Sequence, residues 1–283
     1  MHRLPRFLLY PLMALLPALG MLTGFSSAAG ASTPASQAAS AAAIARAAIK
    51  QLTIGQHAND QRAPGTPRTK GLTDVQSTNW SGYADTGSGF SKVTGSWTEP
   101  SASCGGFTTS LAAFWVGIDG YSSSSVEQDG TLIECYFGTA YQYTWWEMYP
   151  ANDIQVVGQS LKAGDSISSS VVRSGTSYTL KVTDSTHTAN SFSTVQSCSS
   201  CANSSAEWIA EAPSGSSGVY PLSNFGTWTE TGATVTEGST SGVISSFTDD
   251  QITMINSSGQ TKALPGALNG SGNGFSVTWK RAS

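Results

Sequence analysis

Short segments that alternate between polar and apolar residues recur from residue 73 to residue 283, and Gly, Ser, Asn and Pro interrupt them. In the clearest case, 166–173 and 176–184 flank Ser174-Gly175 and predict a hairpin with a two-residue turn. Further strands are predicted at 93–98, 112–118, 131–137, 142–149, 206–211, 225–228, 252–255 and 275–279. Helical periodicity is almost absent from this region, so the pattern predicts one all-β domain at 73–283, either a sandwich or a barrel.

The first 31 residues have the organisation of a secretory signal. A positively charged start precedes a mostly apolar run at 7–22, and Ala29-Gly30-Ala31 fits a small-x-small cleavage site. Two prolines interrupt the apolar run and no stop-transfer pattern follows it, which disfavours a retained membrane helix. We therefore expect residues 1–31 to be a signal peptide and the protein to be secreted, extracellular and without a membrane partner.

Residues 32–72 are rich in Ala, Ser, Pro and basic residues. Good helix formers occupy 35–52, and the Pro/Gly pattern at 63–67 is typical of a linker. The region could be a disordered spacer or a pro-segment that is removed at maturation, and we favour a pro-segment with its linker.

Charge separates this segment from the domain that follows. Five Lys/Arg residues oppose one aspartate in 32–72, a formal charge of +4, whereas seven Lys/Arg oppose seventeen carboxylates in 73–283, a formal charge of −10. Opposite charges predict that the pro-segment binds and inhibits its own domain. The acidic domain disfavours nucleic-acid binding, which needs a basic surface. We expect a monomer.

Four cysteines follow the signal, and in an exported chain an even number indicates disulfides. Cys198 and Cys201 are spaced as in redox or zinc motifs, but no second such pair and no βαβ pattern accompany them. Of the three possible pairings we favour Cys198–Cys201 together with Cys104–Cys135.

Three blocks indicate a function. The sequence reads FWVGIDG at 114–120, VEQDG at 126–130 and AEWIAE at 206–211. Together they resemble the glutamic peptidases (eqolisins), acid endopeptidases whose catalytic pair is a glutamine and a glutamate. The only histidines are His2, His57 and His187, and the first two lie in segments that we expect to be removed. Carboxyl and carboxamide groups are therefore the chemistry that a hydrolase of this composition has available.

The resemblance implies a fold and a site. The fold is a sandwich of two curved antiparallel sheets, and the catalytic pair is Gln128 and Glu211. One departure is visible at Tyr143, where the family has an aspartate, a position that bears on the polarity of the cleft and so on its side-chain preference. The side chains that the resemblance assigns to the substrate cleft are Trp80, Trp115, Asp119 and Glu147.

Strand alternation adds to this interpretation. In 142–149 it places Glu147 among large aromatic side chains on one face, as expected for a substrate groove. In 206–211 it places Glu207 and Glu211 on one face, about 13 Å apart at roughly 3.3 Å per residue. The two glutamates are therefore not expected to act as a close dyad.

Peptide hydrolysis without a nucleophilic side chain or a metal needs a base for water and a donor for the oxyanion. Glu211 would be the base and Gln128 the donor, acting on protein or peptide substrates with no cofactor, no metal and no sensitivity to pepstatin. The alternatives are a β-sandwich glycoside hydrolase with two facing carboxylates and a non-catalytic carbohydrate-binding module. A Ser-His-Asp site using His187 and a calcium site at Asp249-Asp250 are disfavoured.

Overall fold

The computed structural model describes residues 73–106 and 108–283. The predicted signal peptide, pro-segment and helix at 35–52 lie outside these residues. Within the described ranges the two helices are single 3-10 turns, Thr188–Asn190 and Ile244–Ser246, and none is long or apolar enough to cross a membrane. The strands are β1 Thr73–Ser77, β2 Trp80–Thr86, β3 Phe90–Thr98, β4 Ser110–Asp119, β5 Val126–Tyr136, β6 Thr139–Tyr149, β7 Asn152–Val156, β8 Ser166–Ser174, β9 Ser177–Asp184, β10 Phe192–Ser197, β11 Ser205–Glu211, β12 Ser214–Gly215, β13 Gly218–Val219, β14 Thr227–Glu237, β15 Thr240–Gly242, β16 Asp249–Ile255, β17 Thr261–Pro265 and β18 Phe275–Trp279.

The strands form two layers that are joined through β14. The front sheet runs β17-β16-β2-β11-β4-β5-β6-β7, and the back sheet runs β10-β9-β8-β3-β14. Residues 227–230 of β14 pair with β18, which continues to β17, whereas residues 231–237 pair with β3. These pairings are antiparallel, whereas β1 pairs in parallel with β16. The predicted all-β sandwich of antiparallel sheets is confirmed.

The predicted hairpin is formed by β8 and β9. Ser174 pairs with Ser177, so the two-residue turn is Gly175-Thr176, one residue later than expected. The turn begins at Gly175 because φ is 62° there, a left-handed value that glycine adopts without strain. Strand β5 also begins earlier than predicted, at Val126, which places Gln128 inside a strand.

The main core lies between the two sheets. Phe114 of β4 stacks on Trp228 of β14 with ring centroids 5.4 Å apart, and Trp208 of β11 belongs to the same cluster. A second apolar cluster, which includes Trp80, Trp115, Trp145, Ile209 and Ile252, lies on the other face of the front sheet. Front-sheet strands are therefore buried on both faces. This explains their long apolar runs.

Both predicted disulfides are present, Cys104–Cys135 and Cys198–Cys201, and the described residues include no free cysteine. The first links the segment before β4 to the end of β5. The second closes the loop that leads to β11.

Candidate active site

Strand β11 crosses the front sheet between β2 and β4. Side chains alternate between the two faces of β11, so Trp208 and Ala210 pack in the core between the sheets and Ile209 packs in the second cluster. Glu207 and Glu211 share the face of Ile209, as the sequence predicted. Both glutamates are fully buried.

Glu211, at the end of β11, accepts hydrogen bonds on both carboxylate oxygens. Trp115 Nε1 donates to Oε2 at 2.9 Å, and Asn79 Nδ2 donates to Oε1 at 3.3 Å. Two N–H donors from different parts of the chain therefore hold this carboxyl in one orientation. Asn79 was not among the predicted site residues, and its only sequence signal is its position before Trp80, since 132 residues separate it from Glu211.

Gln128 and Glu147 are direct cross-strand partners on β5 and β6. Gln128 Nε2 donates to Glu147 Oε2 at 2.8 Å, and both side chains are buried. The bond fixes which end of the carboxamide is the donor. The structure therefore brings the predicted catalytic glutamine together with one of the predicted cleft residues.

Trp115 lies between the two candidate catalytic side chains. Glu211 is opposite Ala113 on β4, and Gln128 is opposite Gly117, four residues further along the same strand. A Cβ atom at Gly117 would lie 2.9 Å from Trp115 Cζ3 and 3.3 Å from Gln128 Cβ, so the indole covers this glycine. One end of the indole thus contacts Glu211, and the other lies beside Gln128.

Trp80 completes this part of the face. It is the cross-strand partner of Glu211 on β2, and its ring meets the ring of Trp115 edge to face at 5.0 Å. Both tryptophans are fully buried. Trp80, Trp115 and Glu211 therefore form one contiguous group.

Asp119 makes its hydrogen bonds outside the group of Trp80, Trp115 and Glu211. Its backbone has φ of 72°, and its carboxylate accepts bonds from Asn203 N at 2.7 Å and from Ser204 N and Oγ at 2.8 and 3.0 Å. These bonds attach the end of β4 to the segment entering β11. A role for Asp119 in substrate binding stays a prediction.

Glu207 has surroundings of the opposite kind. Burial raises its pKa well above the usual range; the Ser205 hydroxyl opposes this shift, and the Asp119, Glu127 and Asp85 carboxyls increase it. Glu207 pairs with Gly117 on β4, and Gly117 pairs with Gln128 on β5. The three residues therefore lie in one row across the sheet, with Gly117 in the middle. The Trp115 indole covers that glycine and so lies between Glu207 and Gln128.

At the position where the family has an aspartate, Tyr143 donates its hydroxyl to Glu134 Oε2 at 3.4 Å. Burial raises the pKa of Glu134 to about 7, and the Tyr143 bond opposes that shift. The departure thus places a phenol and a carboxyl of weakened acidity on this face of β5 and β6.

The disfavoured sites also have definite surroundings. His187 Nδ1 lies 2.7 Å from Asp165 Oδ1, in a turn that the Asp184 carboxylate supports through the Thr186 and His187 N–H groups. Asp250 accepts a bond from Tyr121. Among the described residues two groups have metal-ligand spacing, but the cysteines of one are joined in a disulfide, and the other is the His187 turn.

Comparison with known proteins agrees with the fold and the motifs. A family model described as the peptidase A4 family matches residues 78–279. Aspergillopepsin-2 of Aspergillus niger is 29% identical over 222 residues, which cover 69% of this chain and 77% of the relative. Scytalidopepsin B of Scytalidium lignicola is 33% identical over 138 residues, 47% of this chain and 51% of the relative.

Solved structures give the same result. A scytalido-glutamic peptidase bound to a transition state analog inhibitor matches with a TM-score of 0.61 at 26% identity, covering 72% of this chain and 98% of its own. The aspergilloglutamic peptidase from Aspergillus niger matches with a TM-score of 0.51 at 25% identity, covering 60% and 99%. The chain therefore belongs to the peptidase A4 family, the glutamic peptidases or eqolisins.

Proposed function

We propose that this glutamic peptidase is a secreted acid endopeptidase in which Glu211 is the general base and Gln128 stabilises the oxyanion. The observation that carries the assignment is the environment of Glu211, a buried carboxyl whose two oxygens both accept N–H bonds. The two donors hold this carboxyl in a fixed orientation, and its carboxylate form can accept a proton from water.

Gln128 supplies the second half of the reaction. Its Nε2 atom has two hydrogens, and Glu147 accepts one of them. The second hydrogen would bond the developing oxyanion, and the carbonyl would orient the attacking water. As one proton passes from water to Glu211, the water oxygen bonds the carbonyl carbon and the carbonyl oxygen becomes the oxyanion. When the oxyanion collapses, the C–N bond breaks and Glu211 gives the proton to the leaving amine.

Peptides are the substrate class because related structures hold peptide-based transition state analogs and the tripeptide Ala-Ile-His. Trp80, Trp115 and Glu147 would line the cleft, and Asp119 would support it from the end of β4. A glycoside hydrolase is not favoured, since its two carboxyls must face each other at roughly 5–10 Å, whereas Glu211 faces N–H donors.

The test is proteolysis of a denatured protein at acid pH, with and without pepstatin. Gln128→Ala and Glu211→Gln should each lower activity by at least about 100-fold, and the double variant should lose little more, because the pair acts as one unit. Tryptophan fluorescence should report native folding in each variant. Near-normal activity in either single variant would contradict the assignment.

The +4 segment at 32–72 would act as an inhibitor that is released in acid. Protonation of domain carboxylates weakens its attraction to the −10 domain, so acid or high salt should speed processing upstream of Asn79. Processing that is indifferent to both conditions, or a precursor as active as the processed form, would remove this part of the proposal. Export is checked by finding the processed protein in the culture medium.

A further inference from the structure

Asn79 contacts the end of β11 at two points. Its side-chain Nδ2 donates to Glu211 Oε1 at 3.3 Å, and its main-chain oxygen accepts the N–H of Ala212 at 2.8 Å. Asn79 is fully buried. The same residue therefore holds both the carboxylate and the backbone that follows it.

Ser77 determines which way the Asn79 amide faces. Ser77 Oγ accepts the N–H groups of Asn79 at 3.3 Å and Trp80 at 3.0 Å, and it donates to Asn79 Oδ1 at 3.0 Å. A hydroxyl can accept two hydrogen bonds and donate one, so these three bonds use its whole capacity. Because the only hydroxyl hydrogen goes to Oδ1, the NH₂ end of the amide must point to Glu211.

We propose that Ser77 and Asn79 are positioning residues for the reaction, which orient the Glu211 carboxylate and hold it ready to accept a proton. The proposal rests on the assignment of Glu211 as the base. Trp115 on β4 also donates to this carboxyl, and Glu207 is a second carboxyl on the same face of β11.

If Ser77 positions Asn79, strand β1 is part of the active site. Ser77 is its last residue, and β1 is held on β16 by parallel pairing of residues 73–77 with 250–254. Val75 packs in the cluster of Trp80 and Ile252. The processing cut must therefore lie upstream of Ser77, and an enzyme that begins at Asn79 lacks the hydroxyl that fixes the amide.

The first experiment measures kcat and KM against pH for the full-length chain after acid processing. Asn79→Ala removes the donor to Glu211. Asn79→Asp keeps the shape and the acceptor for Ser77 but places a carboxyl against the base. We expect kcat to fall roughly tenfold or more in Asn79→Ala with little change in KM. The acid limb should move to higher pH in both variants, and further in Asn79→Asp.

Asn190 is the matched control. It is a buried asparagine whose Oδ1 accepts Ser160 N–H and O–H, and whose Nδ2 donates to Asp184 Oδ2 at 2.8 Å. Asn190→Ala should lower the melting temperature without moving the acid limb. If the Asn79 variants only lower the melting temperature in the same way, the two residues are structural and the proposal is wrong. Asn79→Ser is the alternative if Asn79→Ala does not fold.

Glu211→Gln is assayed alongside to separate this proposal from the assignment of the base. If Glu211→Gln is active, the base is misassigned and the positioning role fails with it. If Glu211→Gln is inactive but the Asn79 variants keep the wild-type acid limb, only the positioning role fails. Ser77→Ala should give a smaller shift than Asn79→Ala, because the amide keeps its donor but loses its fixed orientation.

N-terminal sequencing of the processed, active enzyme is the second experiment. We expect the mature chain to retain Ser77. A fully active enzyme that begins at Thr78 or later would overturn the role of Ser77.

Discussion

Glu207 and Glu211 occupy the same face of one strand, four residues apart, and both are fully buried. Glu211 accepts N–H hydrogen bonds from Trp115 and Asn79. Glu207 is surrounded by acids, and burial together with Asp119, Glu127 and Asp85 raises its pKa well above the usual range. The difference shows that position on a face does not decide the role of a carboxyl. N–H donors orient one glutamate, whereas burial and, after it, neighbouring carboxyls raise the pKa of the other.

The largest expected effect on activity follows replacement of Glu211, the glutamate that accepts two N–H bonds. Glu211→Gln should lower kcat/KM by at least about 100-fold, because a carboxamide cannot accept the proton of the attacking water. Hydrolysis of one peptide at acid pH measures the loss, and an unchanged melting temperature shows that the fold is intact. Substantial activity in this variant would place the base elsewhere.

Buried carboxyls with raised pKa values should make the stability of the folded domain fall as pH rises. Burial, with the Asp119 carboxyl, raises the pKa of Glu127 to about 9, and burial raises that of Glu99 to about 8. The folded state binds these protons more tightly than the unfolded state, whose glutamates titrate near 4.5. The stabilisation is therefore complete below about pH 4.5 and is lost progressively as pH rises toward 8–9.

Melting temperatures across pH 4 to 8 test this directly. We expect the highest value at the acid end, and Glu127→Gln should flatten the dependence, because a neutral carboxamide replaces a carboxyl that must stay protonated. A melting temperature that rises between pH 4 and pH 7 would contradict the sign of the effect.

A smaller effect should follow removal of one donor from Glu211. Trp115→Phe deletes the Nε1 donor and should lower kcat roughly tenfold, since a bond to a charged group is lost. Trp145→Phe is the matched control, a fully buried tryptophan of the same cluster whose Nε1 has no hydrogen-bond partner within the described part of the chain. Equal losses of kcat in the two variants would indicate packing alone.

The smallest effect on turnover is expected at Glu207. Glu207→Gln should keep kcat within roughly threefold of wild type, because the replacement resembles the protonated carboxyl already present. Its melting temperature should equal or exceed that of wild type at neutral pH. A folded but inactive Glu207→Gln, with Glu211→Gln active, would reverse the comparison and place the base at the other end of β11.

Much of the fold and part of the candidate site could be predicted from local sequence patterns. Alternation predicted the hairpin of β8 and β9 and put Glu207, Ile209 and Glu211 on one face, because a period of two is a property of any strand. The motif around Gln128 indicated the family, which the comparisons confirmed. The disulfide Cys198–Cys201 was favoured among three possible pairings, because only two residues lie between its cysteines and no second such pair or βαβ pattern indicates a redox or zinc site.

Tertiary structure decided which glutamate receives donors. Asn79 and Trp115 reach Glu211 from 132 and 96 residues away, and the Asp119 carboxyl contributes to the raised pKa of Glu207. Sheet register sets these distances, and register depends on the pairing of strands that are remote in the chain. The sequence by itself determined the strands, the faces and the chemical groups available. Only the packing of β2, β4 and β11 decided their charge environment, because burial and neighbouring dipoles act through space and not along the chain.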